Sequence, residues 1–400
     1  MNGAHALIES LLREQVDHIF GYAGATICPV VDALKEHPEI GYTLVRTEQN
    51  AGHMASGYAR VSGKVGVCMV TSGPGATNLI TGIATAYMDS IPMVAITGQV
   101  PSHLLGRDIF QEVDITGAVA PFSNHSYLVK NANDIPRVVR EAFHIASTGR
   151  PGPVLIDIPI DVQEQTLKKF DWPEEVNIRG YKPSVKGNDL QIKRVVETIA
   201  KARQPLICAG GGVWLADAQE ELLELAETAN IPVVKTMMGI GLMPTDHPLN
   251  LGMIGAHGNH CANKALAKSD LLIMVGTRAA DRAITSPDEI QRRMATIHID
   301  VDPAEIGKNM QAAVPLVGNV KVILRQILDM GVSSTDSADW LAMLRDYRKA
   351  ELSRVFPKRP GSVFPGTAIR RLGAKLDEDA VVCVDVGQNQ IFTCKYFPQK

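Results

Sequence analysis

Short, almost uninterrupted apolar runs alternate with helix-like stretches along most of this chain, and this alternation limits its fold more than any other feature. Strands that are apolar on both sides need cover on both faces of their sheet, which parallel sheets obtain from the connecting helices. We therefore predict an α/β fold with two doubly wound parallel-sheet domains plus the start of a third. The predicted strands are His18–Gly21, Tyr42–Arg46, Val65–Ser72, Pro92–Gly98, Gly152–Pro159, Leu206–Ala209, Ile231–Lys235, Asp270–Gly276 and Ala295–Asp302.

Changes in polarity along the chain indicate where these domains begin and end. Two polar, proline-containing stretches interrupt the strand and helix pattern and are typical of linkers. After the second stretch, a helix at Thr367–Leu376 and a strand at Ala380–Asp385 are predicted. The predicted parts are a first domain at 1–165, a linker at 166–188, a second domain at 189–332, a linker at 333–360 and the start of a third domain at 361–400.

Composition excludes several classes of function. A net charge of −3 over 400 residues gives no reason to expect nucleic acid or a membrane surface as a partner. The chain has no apolar run of about eighteen residues and no signal-peptide core, so we expect a cytoplasmic protein without a membrane span. The six cysteines are scattered without a CxxC pair, which predicts buried free thiols rather than a zinc site or disulfides.

Glu48 is the first candidate for chemistry. It follows a predicted strand and opens a predicted helix, which places it at the carboxyl edge of a parallel sheet, where α/β ligand sites form. The apolar residues Ala51, Met54 and Ala55 follow it and would desolvate its carboxyl group. For an isolated glutamate the alternative is an acid that only complements the helix dipole.

Glu48 belongs to an ordered set of motifs in the first part of the chain. The set comprises Gly21-Tyr-Ala-Gly-Ala25, Arg46-Thr-Glu-Gln49, Gly57-Tyr-Ala-Arg60, Thr71-Ser-Gly-Pro-Gly-Ala-Thr-Asn78, Ile96-Thr-Gly-Gln-Val-Pro101, Phe110-Gln-Glu112 and Gly149-Arg-Pro-Gly-Pro153. From about residue 3 to 165 this order resembles the pyrimidine-binding domain of the acetolactate synthase (acetohydroxyacid synthase) large-subunit family, whose members use thiamine diphosphate.

The resemblance implies a role for four residues of this domain. Glu48 would hydrogen-bond the aminopyrimidine ring of thiamine diphosphate and so help to activate the cofactor, and Gln111 would lie near the reacting centre. Gly24 and Asn78 would be further neighbours of the cofactor. Taken without the resemblance, the segment Thr71–Asn78 predicts only a tight turn with local capping.

Glycine-rich turns and arginines recur in the second predicted domain, which resembles the FAD-binding middle domain of the same family. Such turns let the backbone approach a pyrophosphate, and arginines add charge-assisted hydrogen bonds. The alternative is that these glycines only turn the chain, as in relatives whose middle domain is empty. The FAD contacts that the resemblance implies are Arg150, Gly211, Gly212, Thr236, Met237, Gly255, His257, Gly276, Arg278, Asp281, Arg282 and Asp300.

The last segment, Gly387-Gln388-Asn389, resembles the beginning of the family's diphosphate-binding domain. The family holds Mg²⁺ with a Gly-Asp-Gly segment and a downstream asparagine, and no Gly-Asp-Gly occurs in these 400 residues. We therefore expect the metal site to lie outside this chain and the natural chain to continue past Lys400. Residues 1–400 alone are then expected to be inactive.

The resemblance implies a carboligase that decarboxylates a 2-oxo acid, pyruvate, and transfers the two-carbon unit to a second 2-oxo acid. It also implies a homodimer or tetramer, and leaves open a regulatory subunit or a completing chain as a further partner. One alternative is another thiamine diphosphate-dependent 2-oxo-acid or acyl-CoA decarboxylase. The other is a non-catalytic partial subunit that needs a partner chain.

Overall fold

The computed structural model describes residues 1–334, 337–353 and 361–399. The chain divides into two compact units, Met1–Lys182 and Pro183–Lys400. Part of the predicted second linker, at 335–336 and 354–360, and the chain end at Lys400 lie outside the described residues. The helices after residue 361 belong to the second unit, so the predicted third domain and the predicted boundaries stay predictions.

Unit 1 is built on a six-stranded parallel sheet with strand order β2-β1-β3-β4-β6-β5. Its strands are β1 His18–Tyr22, β2 Gly41–Leu44, β3 Gly66–Val70, β4 Met93–Gln99, β5 His125–Leu128 and β6 Pro153–Pro159. Its helices are α1 Gly3–Arg13, α2 Cys28–Leu34, α3 Glu48–Ser62, α4 Pro74–Asp89, α5 Ile115–Val119, α6 Ile135–Ser147 and α7 Ile160–Glu164.

Burial explains why the central strands of unit 1 are so apolar. Every residue of β3, β4 and β6 is buried, since helices cover both faces of the sheet. Helices α3 and α4 pack closely on one face because Gly52 faces Gly82, where a Cβ on Gly52 would lie 3.0 Å from the Gly82 Cα. Two apolar clusters, one on each face, therefore form the core of this unit.

Unit 2 repeats this architecture with a six-stranded parallel sheet of order β12-β11-β10-β7-β8-β9. Its strands are β7 Pro205–Ala209, β8 Val233–Lys235, β9 Asn250–Met253, β10 Leu271–Val275, β11 Ala295–Asp300 and β12 Val314–Val317. Its helices are α8 Asp189–Lys201, α9 Gly211–Leu215, α10 Gln219–Ala229, α11 His260–Lys268, α12 Pro287–Arg293, α13 Val320–Asp329, α14 Ala338–Leu352, α15 Pro365–Gly373 and α16 Gln388–Tyr396.

The predicted fold class of two doubly wound parallel sheets is confirmed, and each predicted strand up to residue 302 overlaps a strand of the structure. Three strands were not predicted, namely β5, β9 and β12. The predicted strand Ala380–Asp385 is wrong, because these residues are exposed and form no ladder. A strand needs a neighbour for its backbone groups, and no strand in the described residues pairs with this run.

The predicted burial of the cysteines is half right. Cys68, Cys208 and Cys261 are buried free thiols, whereas Cys28 and Cys383 are exposed and Cys394 is half-buried. None of the helices in the described part of the chain combines the length and the apolar character that crossing a bilayer requires.

Both sheets contain one place where the strand order reverses, which is where α/β proteins form ligand crevices. In unit 1 the chain passes from β1 outward to β2, then returns to place β3 on the other side of β1. In unit 2 the corresponding pair is β7 and β10. The turns that follow these strands are therefore the first places to look for a site.

Candidate functional site

Two turns meet at the carboxyl edge of unit 1, one after β1 and one after β3. The Thr26 hydroxyl lies 2.9 Å from the Thr71 hydroxyl and accepts a hydrogen bond from the Ser72 backbone N–H at 3.0 Å. A Cβ at Gly24 would lie 2.6 Å from the Thr71 Cβ, so only glycine allows this approach. The turn that carries Gly24 is thus held directly against the Thr71 turn.

Glu48 lies at the first position of α3 and is half-buried beside this pair of turns. The Asn78 side-chain amide, on α4, donates to Glu48 Oε2 at 3.0 Å. A Cβ placed on Gly75 would lie 3.3 Å from Glu48 Oε1, so the second carboxylate oxygen borders the glycine turn. The arrangement gives a carboxylate with one oxygen oriented by an amide and the other beside bare backbone.

The predicted apolar surroundings of Glu48 are only partly present. Ala51 and Ala55 are fully buried, but the Met54 side chain is 44% exposed. Met54 lies beside Ala51 and Ala55 at the border of the buried face of α3, where its longer side chain reaches solvent. Met54 therefore does not contribute the desolvation that the sequence suggested.

Gln111 lies in the segment between β4 and α5 and packs on the same turn. A Cβ at Gly73 would lie 2.7 Å from the Gln111 carbonyl oxygen and 2.9 Å from its Cα. The backbone of Gln111 is left-handed, with φ +60°. Non-glycine residues rarely adopt this conformation unless their surroundings impose it.

The structure therefore brings together, in unit 1, all four residues that the sequence proposed for the pyrimidine half of the site. Gly24, Glu48 and Asn78 surround the turn of Thr71–Gly75, and Gln111 abuts it at Gly73. Sequence reasoning did not single out Thr26, Gly73 or Gly75 as members of this cluster. The signal for the glycines was present, since Gly73-Pro-Gly75 directly follows a buried strand.

In unit 2, the turns after β7 and β10 contact each other through their backbones. The Gly212 N–H donates to the Gly276 carbonyl at 3.0 Å. A Cβ at Gly212 would lie 2.7 Å from the Gly276 Cα, and Gly276 itself has φ +56°. Gly211 is next to this contact and half-exposed. Close packing of the two turns therefore accounts for glycine at 212 and 276.

His298 binds the turn that follows β10. Its ring lies within the sheet on β11 and is 2% exposed, and its Nε2 donates to the Thr277 carbonyl at 2.9 Å. Burial holds the pKa of His298 below its usual value, so the neutral ring is favoured. The turn that carries Gly276 and Arg278 thus rests on a buried imidazole.

The other proposed flavin contacts lie along the same carboxyl edge of the unit 2 sheet. A Cβ at Gly255 would overlap the carbonyl oxygen of Arg282, which accepts from the Ala256 N–H at 3.0 Å. Asn309 donates to the carbonyl oxygen of Arg278 at 3.0 Å. Thr236 and Met237 follow β8, Asp300 ends β11, and the side chains of His257, Asp281 and Arg282 are exposed.

Arg150 belongs to unit 1, and the segment Gly387–Asn389 belongs to unit 2. In unit 1, Arg150 Nε donates to the Ser90 hydroxyl at 2.9 Å, and its guanidinium lies 5.8 Å from the centre of the Tyr87 ring. In unit 2, Gly387 precedes α16, with Gln388 and Asn389 exposed in its first turn. Within the described residues, no group of three His, Cys, Asp or Glu side chains is placed to hold a metal ion.

Comparison with known protein families agrees with this arrangement. The family model described as "Thiamine pyrophosphate enzyme, N-terminal TPP binding domain" matches residues 1–118. The model "Thiamine pyrophosphate enzyme, central domain" matches residues 192–327. Thiamine pyrophosphate is another name for thiamine diphosphate. Both matches assign the chain to the class of thiamine pyrophosphate enzymes.

Individual relatives narrow this class. The acetolactate synthase large subunit of Mycobacterium tuberculosis is 48% identical over 401 residues, covering 99% of this chain and 65% of that protein. The probable acetolactate synthase large subunit of Methanocaldococcus jannaschii is 45% identical over 411 residues, 100% of this chain and 69% of that protein. The chain belongs to the acetolactate synthase large-subunit family. It spans about two thirds of the length of these relatives.

Proposed function

We propose that the protein is a thiamine diphosphate-dependent carboligase of the acetolactate synthase type. It would decarboxylate a 2-oxo acid, pyruvate, and transfer the two-carbon unit to a second 2-oxo acid. The observation that carries the proposal is the position of Glu48, whose carboxylate is oriented by Asn78 beside the Gly73–Gly75 turn. The similarity to acetolactate synthase large subunits supports the same reaction class.

The residues of unit 1 fit the aminopyrimidine half of this cofactor. Glycine at 24, 73 and 75 keeps side chains out of the turns around Glu48. Thiamine diphosphate, when bound, supplies a carbon nucleophile and an electron sink for decarboxylation. Glu48 would hold and share a proton with a ring nitrogen, since its Oε1 borders the glycine turn while Asn78 holds its Oε2. Gln111 would offer its side-chain amide to the reacting carbonyl compound.

A flavin is proposed for the carboxyl edge of unit 2. The glycines at 212 and 276 are explained by packing between the two turns, so they do not require a dinucleotide. The support comes instead from Gly211, Thr236, Met237, Gly255, His257, Arg278, Asp281, Arg282 and Asp300 lying along one sheet edge, where dinucleotides bind. Arg150 of unit 1 is proposed as an additional contact.

The remaining parts of the proposal concern the metal, the diphosphate and the partners. Gly387, Gln388 and Asn389 are proposed as the beginning of the diphosphate-binding domain, and Mg²⁺ as an ion held outside this chain. Among the described residues, no three His, Cys, Asp or Glu side chains come together as they would around Mg²⁺, so no step is assigned to the ion. We propose a homodimer or tetramer in the cytoplasm, with 2-oxo acids as substrates and a regulatory subunit or completing chain as a further partner.

The experiment that tests the proposal is Glu48→Gln in the full natural chain. Glutamine keeps the shape and can still accept from Asn78, but it cannot share a proton as a carboxyl group does. We expect pyruvate turnover to fall by about three orders of magnitude, the middle of the range for loss of a general acid–base group. Flavin absorbance of the purified variant should stay at the wild-type level, because Glu48 is not among the proposed flavin contacts.

The matched control is Glu9→Gln on α1, where Glu9 pairs with Arg13 at 3.0 Å on the surface. This change should leave turnover within about twofold, as exposed ion pairs contribute little. Full turnover by Glu48→Gln would remove the proposed role. Product analysis separates the alternatives, since release of the free aldehyde from pyruvate indicates a plain decarboxylase, and no turnover by the wild type indicates a partial subunit.

A further inference from the structure

We infer that Gln99 and Asp157 are positioning residues, which hold the segment carrying Gln111 against the Gly73 turn from beneath the sheet edge. The inference deepens the proposed function and rests on it. A buried hydrogen-bond network links Asp157 through Gln99 to the Val113 carbonyl, two residues from Gln111.

The network lies between β4 and β6, at their carboxyl ends. Asp157 on β6 is 2% exposed, and Thr97 and Gln99 on β4 are equally inaccessible. The Thr97 hydroxyl donates to Asp157 Oδ1 at 2.6 Å, and Gln99 Nε2 donates to Asp157 Oδ2 at 2.9 Å. Each carboxylate oxygen therefore has its own donor, which fixes the orientation of the Gln99 side chain.

Gln99 uses its remaining groups to hold two points of the backbone. Its Nε2 also donates to the Val113 carbonyl at 2.9 Å, and its Oε1 accepts from the Val100 N–H at 2.9 Å. Val113 is only two residues from Gln111. Because Asp157 occupies one amide hydrogen and Val113 the other, the amide cannot rotate without breaking both contacts.

The segment is anchored at its other end as well. Asp161 accepts from the Ser102 N–H at 2.8 Å and from the Ser102 hydroxyl at 2.5 Å. Between these anchors, Glu112 accepts from the backbone N–H groups of Gly106, Arg107 and Ile109, which closes the loop on itself. The exposed middle of the loop is therefore tied to α7 at Ser102 and to β4 at Val113.

The left-handed backbone of Gln111 needs contacts on both sides to hold it in place. A left-handed glutamine costs about 1 kcal/mol or more and persists only where neighbouring contacts over-determine it. On one side Gln111 abuts Gly73, and on the other the chain is fixed at Val113 by Gln99. Release of Val113 would let the segment relax away from the Gly73 turn, and the amide of Gln111 would leave its place.

A double-mutant cycle in the full natural chain tests the inference. Gln99→Met keeps length and volume but removes both amide contacts. We expect it to lower kcat for pyruvate by about 10- to 100-fold while KM changes less than about threefold, as a displaced reacting-site group does. Gln111→Ala should have a similar effect. The double variant should be no slower than Gln111→Ala alone, because Gln99 acts through Gln111.

Independent, multiplying losses in the double variant would overturn the inference, since Gln99 would then act by another route. Asp157→Leu provides a second variant that reaches the same contact, in case Gln99→Met does not fold. Leucine branches at the same carbon as aspartate but offers no acceptor, so one Gln99 amide hydrogen loses its partner and the side chain is no longer held toward Val113. It should reproduce the loss in kcat and the same lack of additivity with Gln111→Ala.

Limited trypsin cleavage after the exposed Arg107 gives a readout that does not need catalysis. Gln99→Met should be cleaved about tenfold faster than wild type, because one anchor of the loop is lost. The control is Ser10→Ala on α1, which removes another buried hydrogen bond of the unit, from the Ser10 hydroxyl to the Ala6 carbonyl at 2.6 Å. Its cleavage rate at Arg107 should equal the wild type.

The two readouts separate failure of the inference from failure of the proposed function. If wild type shows no thiamine diphosphate-dependent turnover or Gln111→Ala is fully active, the proposed role of Gln111 fails, and the trypsin rates alone decide whether Gln99 anchors the loop. If wild type is active and Gln111→Ala is impaired, but Gln99→Met has normal kcat and normal cleavage, the inference fails while the proposed function stands.

Discussion

The two units share one architecture and differ in what fills the reversal point of the sheet. In unit 1, the turns after β1 and β3 leave a half-buried carboxylate beside glycine backbone, with an amide on the carboxylate. In unit 2, the turns after β7 and β10 bind each other through the Gly212 N–H and the Gly276 carbonyl. The same glycine-rich sequence pattern thus borders a carboxylate in one sheet and joins two turns backbone to backbone in the other.

This difference shows that a glycine-rich turn after a parallel strand does not by itself indicate a ligand-binding site. What separates the two cases is the atom that a Cβ would meet. At Gly75 this atom is the side-chain methyl of Thr71, 2.6 Å away, which can move. At Gly276 it is the Gly212 Cα, 2.7 Å away in a neighbouring backbone, which cannot. Glycine at 75 therefore borders the Glu48 carboxylate in unit 1, whereas glycine at 212 and 276 allows two turns to pack in unit 2.

The largest expected effect comes from adding a methyl group at these two positions. Gly276→Ala forces a backbone shift and places alanine at φ +56°. It should lower the free energy of unfolding by about 4 kcal/mol, the sum of overpacking and backbone strain. Gly75→Ala should cost less than about 1.5 kcal/mol because Thr71 can adjust, yet it should reduce turnover by crowding Glu48.

Denaturant unfolding of both variants measures this contrast, with Gly57→Ala as the control. Gly57 lies inside α3 with no atom within 4 Å of a built Cβ, so alanine there should stabilise the protein by about 0.5–1 kcal/mol. Equal losses of stability for Gly75→Ala and Gly276→Ala would break the comparison between the units.

The next effect concerns pH, where the buried groups of the two units act in opposite directions. Burial raises the pKa of Asp157 to about 7, although its bonds to Thr97 and Gln99 oppose the rise and the charge of Asp114 adds to it. The contribution of Asp157 to stability is therefore fully present below about pH 4 and is lost as pH rises through about 7. His298 has a lowered pKa, so its contribution is lost as pH falls below the ordinary histidine range.

Unfolding free energies of wild type and Asp157→Asn between about pH 4 and 8 isolate the first contribution. The stability of wild type relative to the variant should fall by about 4 kcal/mol over this range, given about 1.4 kcal/mol per pH unit for one proton and a pKa raised to about 7. A constant difference across the range would mean that Asp157 titrates in the folded protein as it does in the unfolded chain.

The smallest effect is a difference in reactivity between the exposed and the buried cysteines of the native protein. Each sheet carries one buried cysteine on an inner strand, Cys68 on β3 and Cys208 on β7, and burial raises both pKa values to about 12. Cys28, just after the Gly24 turn of unit 1, is exposed. A thiol reagent at neutral pH should label Cys28 and leave Cys68 and Cys208 unmodified until unfolding, as mass spectrometry of peptides can establish.

The sequence predicted the inner strands well and the outer strands poorly. β3, β4, β7 and β10 are buried on both faces and read as continuous apolar runs, which is a local signal. The three missed strands, β5, β9 and β12, are all at sheet edges. Edge strands are short and only partly covered, so residues such as Ser126, Asn250 and Pro315 interrupt the apolar pattern.

The same reasoning explains the strand that was predicted and not found. Ala380–Asp385 has the apolar run of an inner strand, but its side chains are exposed and it has no partner among the described strands. A strand is a property of a pair, because its backbone groups must be satisfied by a neighbour. Composition can indicate that a run is suited to a sheet, but it cannot supply the neighbouring strand.

The residues of the candidate site could be predicted from the sequence, but their contacts could not. Glu48, Asn78, Gly24 and Gln111 were all proposed from ordered motifs, and the structure places them around one turn of unit 1. The sequence did not indicate that Gln111 would be left-handed, that Gly73 would meet its backbone, or that Asp157 would reach Val113 through Gln99.

By itself, the sequence determined the α/β class, the family and the residue types that could carry the chemistry, because these depend on periodicity and on ordered local motifs. Only the tertiary structure decided which glycine turn borders a carboxylate and which turns bind each other through their backbones. It also decided which buried carboxylate is linked to the site. These outcomes depend on contacts between residues far apart in the chain, such as Gln99 and Asp157, whose positions are set by the packing of the whole sheet.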